Sequence, residues 1–250
     1  MPPSQFQSVT PPREGGVDIS VLVPAHNEER TIQVCIDRAA RALSARNLRF
    51  EIIAIDDGST DATRQRALEF ARSSGSVRVM RIESRIGKGA ALVAAARVAR
   101  GQTIVVLDAD LEYAPEEALM VIEPILRGMT DVVFGSRFLG ETNGMSFSNW
   151  LGNQILTRTT NLLYKANLTD VMTGYKAFAT TTLHRLQIGA TGFGFEVEVA
   201  AKAITQGIRI VEVPISYRRR FQGKSKIRKL GDGIRCLLRL IELARHRKAA

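Results

Sequence analysis

Asp108-Ala109-Asp110 sets two carboxylates one residue apart, directly after the apolar run Thr-Ile-Val-Val-Leu at residues 103–107. Two negative charges this close need a counter-charge. The hard cations Mg²⁺ and Mn²⁺ supply one, taking carboxylate oxygens while leaving positions open for the phosphates of a bound nucleotide. Glu112, two residues on, could reach the same ion directly or through a water. A lone pair of this kind also has a plainer explanation, in which Asp108 caps the following turn and Asp110 is solvated. The surrounding elements decide between the two.

A run as apolar as residues 103–107 predicts a strand buried on both faces of a mainly parallel sheet, with the pair emerging at its C-terminal end, where such sheets bind ligands. The same pattern recurs. Residues 19–23 run into Pro24-Ala25-His26-Asn27-Glu28, and residues 50–55 run into Asp56-Asp57-Gly58-Ser59-Thr60-Asp61. Helical spacing follows each, over about 28–46 and 60–73. Residues 77–82 and 131–135 predict further strands, and 87–100 and 115–127 further helices. This alternation specifies an α/β fold with right-handed crossovers, so the polar turns share one edge of the sheet.

That edge is not an ordinary dinucleotide or P-loop site. Pro24-Ala25-His26-Asn27-Glu28 stands where a G-x-G-x-x-G would, and no Walker A sequence is present. Gly87-Lys88-Gly89 opens a helix and could turn backbone N–H groups and the Lys88 ammonium toward a phosphate.

Taken in order, Pro24-Ala25-His26-Asn27-Glu28, Asp56-Asp57-Gly58-Ser59-Thr60-Asp61, Gly87-Lys88-Gly89-Ala90-Ala91, Asp108-Ala109-Asp110-Leu111-Glu112 and Gly135-Ser136-Arg137 resemble the signatures of family 2 glycosyltransferases with the GT-A fold. The stretches at 168–178, 193–196, 212–217 and 223–226 resemble the branch that glycosylates polyprenyl phosphates, as dolichyl-phosphate mannose and glucose synthases do. The resemblance covers about residues 17–235. It implies an inverting transfer of a sugar from a UDP- or GDP-sugar to a polyprenyl phosphate, assisted by Mg²⁺ or Mn²⁺.

The resemblance also implies roles. Pro24, Ala25, Asn27 and Glu28, with Asp56 and Asp57, would hold the base and ribose; a carboxylate suits ribose hydroxyls or a base N–H. Lys88, Asp108 and Ala109 would lie along the donor diphosphate, with Asp108, Asp110 and Glu112 as metal ligands. Asp110, Arg137 and Asp170 are the catalytic candidates. Arg137 suits a phosphate through its planar fork, or could pair with a local acid. Asp170 would steer the acceptor or act as base, or simply cap a turn. Arg218, Arg220, Lys224 and Lys226, around Gly223, match a basic segment that closes over donor diphosphate and acceptor phosphate. Glu196 and Glu198 could merely lie on a helix running to about residue 206.

Charge gives an independent clue. The chain has 35 Lys plus Arg against 25 Asp plus Glu; residues 218–250 hold 12 basic and 2 acidic, leaving 23 of each before Arg218. Within that tail Ile227, Leu230, Ile234, Leu237, Leu238, Ile241 and Ala244 recur at helical spacing among arginines. A basic amphipathic helix of this kind can lie in a membrane interface or pack on the catalytic domain with its basic side solvated. Nucleic-acid binding is not supported by any motif or aromatic interleaving.

The expected organisation is a disordered leader over 1–16, a GT-A catalytic domain over 17–217, and a basic loop with amphipathic helix over 218–250. No apolar stretch reaches the roughly 18–20 residues of a membrane span, and no signal-peptide core is present. The expected location is therefore the cytoplasm or the inner membrane face, as a peripheral protein or beside a membrane-embedded partner. Cys35 and Cys236 are too few for a disulfide framework or zinc site. The absence of Q-x-x-R-W, with Trp150 the one tryptophan, argues against polymer synthesis. Two other readings remain: a transferase for a soluble acceptor, and a non-catalytic nucleotide-sugar-binding subunit.

Overall fold

The computed structural model describes residues 16–219 and 229–249. Seven strands form the central sheet: β1 (Ile19–Ala25), β2 (Phe50–Asp57), β3 (Val77–Ile82), β4 (Thr103–Val106), β5 (Val132–Ser136), β7 (Lys176–Ala179) and β8 (Ile210–Pro214). Their order is β3-β2-β1-β4-β7-β5-β8. All pairs are parallel except those of β7, which runs antiparallel to both neighbours, β4 and β5. A small parallel pair joins β6 (Thr142–Asn143) to β9 (Tyr217–Arg218).

The central strands are apolar on both faces because helices cover both. On one face lie α1 (Ile32–Ser44), α2 (Thr63–Ser73) and α4 (Ala118–Leu126). Ile32, Cys35, Ile36, Ala39 and Leu43 of α1 recur at helical spacing and are fully buried with Val21 and Val23 of β1. On the other face lie α3 (Lys88–Ala96), α5 (Phe147–Tyr164), α6 (Thr180–Arg185), α7 (Gly194–Thr205) and α8 (Lys229–Ala249), which share a core with Leu22, Ile53 and Phe134.

The helices start later than periodicity predicts. α1 begins at Ile32 and α2 at Thr63 because the polar residues before them form turns. In those turns side chains take the backbone N–H groups that a helix would otherwise leave unpaired: Thr63 Oγ1 accepts from Glu28 N at 2.6 Å and Asp61 Oδ1 from Thr63 N at 2.9 Å.

The end of the sheet away from the polar turns is closed by Glu51, 1 % exposed on β2. Its carboxylate accepts from Ser20 Oγ, the Arg100 backbone N–H and the guanidinium groups of Arg78 and Arg100. Burial alone would raise its pKa, but these donors outweigh burial and hold it below 4.5. A depressed carboxyl contributes stability above the unfolded value of 4.5 and loses it as pH falls through the folded value. Glu51→Ala should therefore cost about 3 kcal/mol at pH 7. In urea melts the deficit should shrink on acidification below pH 4.5; a deficit independent of pH would contradict the ionised assignment.

Candidate active site

The turns at the C-terminal ends of β1, β2 and β4 meet as the alternation requires. The turn after β1 is stitched to the turn after β2: His26 Nδ1 donates to the Asp57 carbonyl at 2.8 Å, Asn27 N to Ser59 Oγ at 3.0 Å, and Thr60 N to Asn27 Oδ1 at 2.8 Å. Asn27 takes φ 54°, a left-handed conformation that asparagine tolerates better than most side chains. Pro24 and Ala25 end β1 beside Asp56.

Asp56 and Asp57, both buried, are engaged differently. Asp57 accepts the backbone N–H of Ile86 at 2.8 Å on one oxygen and that of Gly87 at 3.0 Å on the other, tying the loop before α3 to the end of β2. Asp56 caps its own turn, accepting Ser59 N at 3.0 Å, and lines a cleft of about 540 Å³ with Arg64, Arg72 and Arg81. Both carboxylates keep lone pairs for a further donor.

Asp108 faces Lys88, whose Nζ lies 2.7 Å and 2.9 Å from its two oxygens and 3.1 Å from Glu196 Oε1. Burial alone would lower the Lys88 pKa, yet Asp108 and Glu196 hold it well above the lysine range. The ammonium expected to meet a phosphate is thus already the counter-charge of Asp108 and Glu196. Gly174 sits close against this pair: a Cβ there would push on Asp108 Oδ2 and Lys88 Nζ.

Asp110 Oδ1 accepts the Glu112 N–H at 3.0 Å, and Leu111 between them has φ 60°, a strained conformation for an apolar side chain. The Glu112 carbonyl in turn accepts Arg218 N at 2.9 Å. Among the described residues no three His, Cys, Asp or Glu side chains form a ready metal cage, so Asp108, Asp110 and Glu112 do not close into the expected three-carboxylate set. Asp108 and Asp110 still fit a hard cation that keeps most of its positions for phosphate and water, as Mg²⁺ does with one or two carboxylates.

Beyond β5 lies a second half of the site. Arg137 donates Nε to Asp170 Oδ2 at 2.6 Å and Nη2 to Oδ1 at 2.7 Å, while Asn153 of α5 donates to the same carboxylate at 2.6 Å. Asp170 is 0 % exposed. Burial would raise its pKa, but Arg137, Asn153 and the Arg137 backbone N–H hold it below 3.8. The local acid weighed as a partner for Arg137 is therefore Asp170 itself. Such a carboxylate is a poor general base, and its geometry makes it the holder of Arg137 instead. Glu212 of β8 fixes Asp170 from behind, accepting Thr169 N at 2.8 Å and Asp170 N at 3.0 Å.

Aromatic residues join the halves, and sequence reasoning did not single them out. Tyr113 accepts the Gly174 N–H at 3.2 Å, packs 5.6 Å from Tyr175 and 6.3 Å from Tyr217, and the Arg137 guanidinium stacks 5.8 Å from the Tyr217 ring centre. The signal was there for Tyr113, which directly follows Glu112; Tyr217 needed the β6–β9 pairing. Arg218 begins the basic segment beside Glu112, whereas Arg220, Lys224 and Lys226 lie outside the described residues.

Glu196 and Glu198 do lie on α7 but are buried. Glu198 caps the loop before α7 through Gly189 and Ala190 N–H groups and pairs with Arg239 of α8 at 3.0 Å. α8 consequently divides its apolar residues. Cys236 and Leu240 are buried on the domain, where the Leu240 carbonyl accepts the Tyr164 hydroxyl at 2.9 Å, while Ile234 and Leu238 stay exposed. The single amphipathic face expected of the tail is therefore split between the domain and solvent. Among the described residues no helix is long and apolar enough to cross a membrane.

This geometry has relatives. The chain is 31% identical over 219 residues to polyprenol monophosphomannose synthase of Mycolicibacterium smegmatis, covering 83% of this chain and 80% of that protein. It is 30% identical over 220 residues to undecaprenyl-phosphate mannosyltransferase of Micrococcus luteus, covering 84% and 87%. Against dolichol-phosphate mannosyltransferase of Pyrococcus furiosus it is 28% identical over 84% of its length, and spans 59% of that longer protein. Among solved structures, glucosyl-3-phosphoglycerate synthase from Mycobacterium tuberculosis, in complex with Mn²⁺, UDP and glucosyl-3-phosphoglycerate, superposes with a TM-score of 0.73 at 23% identity, over 98% of this chain and 85% of that one, which establishes the shared GT-A fold. The family described as "Glycosyl transferase family 2" matches residues 20–185, and with these relatives it shows that the chain belongs to family 2 of the glycosyltransferases.

Proposed function

We propose that the protein transfers a glycosyl unit, with inversion, from a UDP- or GDP-sugar to the phosphate of a polyprenyl lipid at the inner membrane face. The observation that carries the acceptor is an apolar stripe on α5, exposed among the described residues and close in sequence to the end of β5 that holds Arg137. Phe147, Leu151, Ile155 and Leu162 recur on one helical face, with Phe147 73 % and Leu162 82 % exposed, and Trp150 stacks on Phe147 at 5.7 Å. Ile234 and Leu238 of α8 are exposed as well. A lipid-borne substrate explains apolar side chains left in water, and the relatives named for polyprenol and undecaprenyl phosphate support the same reading.

In this reading a phosphate oxygen of the lipid attacks the anomeric carbon opposite the nucleoside diphosphate. The new bond is phosphate oxygen to C1; the bond broken is C1 to the diphosphate oxygen, which leaves with the electron pair. The acceptor is already anionic at neutral pH, so no side chain has to remove a proton. Arg137 orients the incoming phosphate, and Asp170 holds Arg137. Lys88 supplies positive charge beside the donor diphosphate, and Asp56 and Asp57 with the Pro24–Glu28 turn receive the nucleoside. Asp108 and Asp110 would hold Mg²⁺ or Mn²⁺, which when bound stabilises charge on the departing diphosphate. The basic segment from Arg218 through Arg220, Lys224 and Lys226 gathers the anions, and α5 with α8 rests the domain on the bilayer, alone or beside a membrane-embedded partner.

The test combines purified protein, Mn²⁺ or Mg²⁺, polyprenyl phosphate in anionic vesicles and a panel of labelled UDP- and GDP-sugars, mannose donors first. Labelled lipid is expected with one donor. Leu151→Glu with Ile155→Glu should reduce vesicle co-sedimentation and lipid transfer without lowering donor affinity. Transfer to a water-soluble acceptor and none to lipid would reject the lipid reading.

A further inference from the structure

Lys176 opens β7 and is 1 % exposed, among the largest fully buried side chains of the protein. Its Nζ donates to the Val171 carbonyl at 3.0 Å and to the Thr173 carbonyl, and sits 4.2 Å from the centre of the Phe134 ring. Burial pushes its pKa down to about 7, against the pull of Glu196 on α7 and Asp170 and with the push of Lys88 on α3 and Arg137 after β5. An ammonium is costly in such a place, and a sheet strand inserted between two others does not need one there.

What the ammonium holds is a single short segment that touches both halves of the site. At one end Asp170 grips Arg137 through three hydrogen bonds, two from the guanidinium and one from the backbone N–H. At the other, Gly174 packs against Asp108 and donates its N–H to Tyr113. The two carbonyls bound by Lys176 lie between these ends. Val171 and Thr173 precede β7 and stand outside its ladders, which pair only residues 176–179. Nearby, Glu196 Oε2 has no hydrogen-bond partner among the described residues, and its other oxygen faces Lys88 Nζ at 3.1 Å.

We propose that Lys176 is the positioning residue that locks residues 170–174 and so fixes the separation between the acidic turn carrying Asp108 and the arginine carrying the acceptor. What each end binds rests on the function proposed above; the locking itself does not. An apolar side chain of the same length would fill the space and leave two buried carbonyls without donors, freeing the segment to shift. Arg137 would then keep its charge but lose its place.

The test uses the full chain with Lys176→Met and Lys176→Arg, read by amide hydrogen exchange, thermal melting and steady-state transfer. In Lys176→Met, amides 170–175 should exchange at least about tenfold faster while those of β1 and β2 stay protected. Its kcat should fall about 100-fold with the donor KM changed by less than about threefold, the signature of a misplaced rather than an unbound substrate. Lys176→Arg, which restores a donor cation, should recover most of both. Wild-type exchange across 170–175 in the methionine variant, loosening of the whole sheet in step, or an arginine variant no better than methionine would each overturn the proposal. If the wild-type protein transfers no sugar to lipid with any donor, the functional reading falls, and the exchange data still decide the role of Lys176.

Discussion

Asp110→Asn should lower glycosyl transfer by about 10²–10³-fold, equivalent to roughly 3–4 kcal/mol of transition-state stabilisation. The reasoning is local. Asp110 is half-buried, spends one oxygen on a Glu112 N–H that an amide oxygen can also accept, and is not the counter-ion of Lys88. An asparagine keeps that hydrogen bond, and on the proposed function the loss of charge should weaken the hold on a divalent cation. The variant should therefore need much more Mn²⁺ for half-maximal rate, and chelation should silence wild type and variant alike until metal is returned. Asp108→Asn separates the two roles of the pair. It strips Lys88 of a partner at 2.7 Å, so it should lose stability together with activity. Equal metal dependence in Asp110→Asn and wild type would reject the assignment.

Asp170→Ala should cost about 3–5 kcal/mol of stability, because it leaves the Arg137 cation nearly buried with its bidentate partner gone. Its folded pKa is depressed, so the pair's contribution is complete above the ordinary carboxyl value of 3.8 and is lost as pH falls through the folded value. The milder Asp170→Asn distinguishes holder from base. Were Asp170 the base, Asn would abolish kcat, leave the acceptor KM alone and erase an acidic limb of the rate profile. Holding Arg137 predicts instead a raised acceptor KM, a partial loss of kcat and no change in the limb. Stopped assays across pH with varied polyprenyl phosphate measure all three.

The parallel frame was legible because its evidence is periodic. Residues 19–23, 50–55 and 103–107 are apolar apart from Ser20, Glu51 and Thr103, and such runs call for burial on both faces of a sheet, while Val77-Arg78-Val79-Met80-Arg81-Ile82 carries the mixed pattern of an edge strand. The antiparallel β7 was not legible: Lys176–Ala179 is four residues long, begins with a lysine, and lies inside a stretch read for its motif. Its lysine belongs in a core because the carbonyls of Val171 and Thr173, just upstream, fold back to accept from it, and Glu196 of α7 pulls on its charge; the fold-back is not visible in the spacing. The site was legible in position and less so in partnership. Asp108, Lys88, Arg137 and Asp170 fall where the turns place them, yet that Lys88 would bind Asp108 and Arg137 bind Asp170 follows from β4, β7 and β5 lying side by side. The start of α1 was placed four residues early because hydrogen bonds between the turns after β1 and β2 compete with helix, and both partners of each bond must be known before the competition is visible.

β7 also works as a ruler. The strand that carries the acidic pair and the strand that carries Arg137 are each hydrogen-bonded to it and not to each other, so their ends stand two ladder spacings apart, about 9.5 Å. Backbone hydrogen bonding sets the spacing of the strand ends, and the segment that Lys176 holds spans it. A chain built this way can vary the turns that follow β4 and β5 while the interval between the ends of those strands is held by the strand between them.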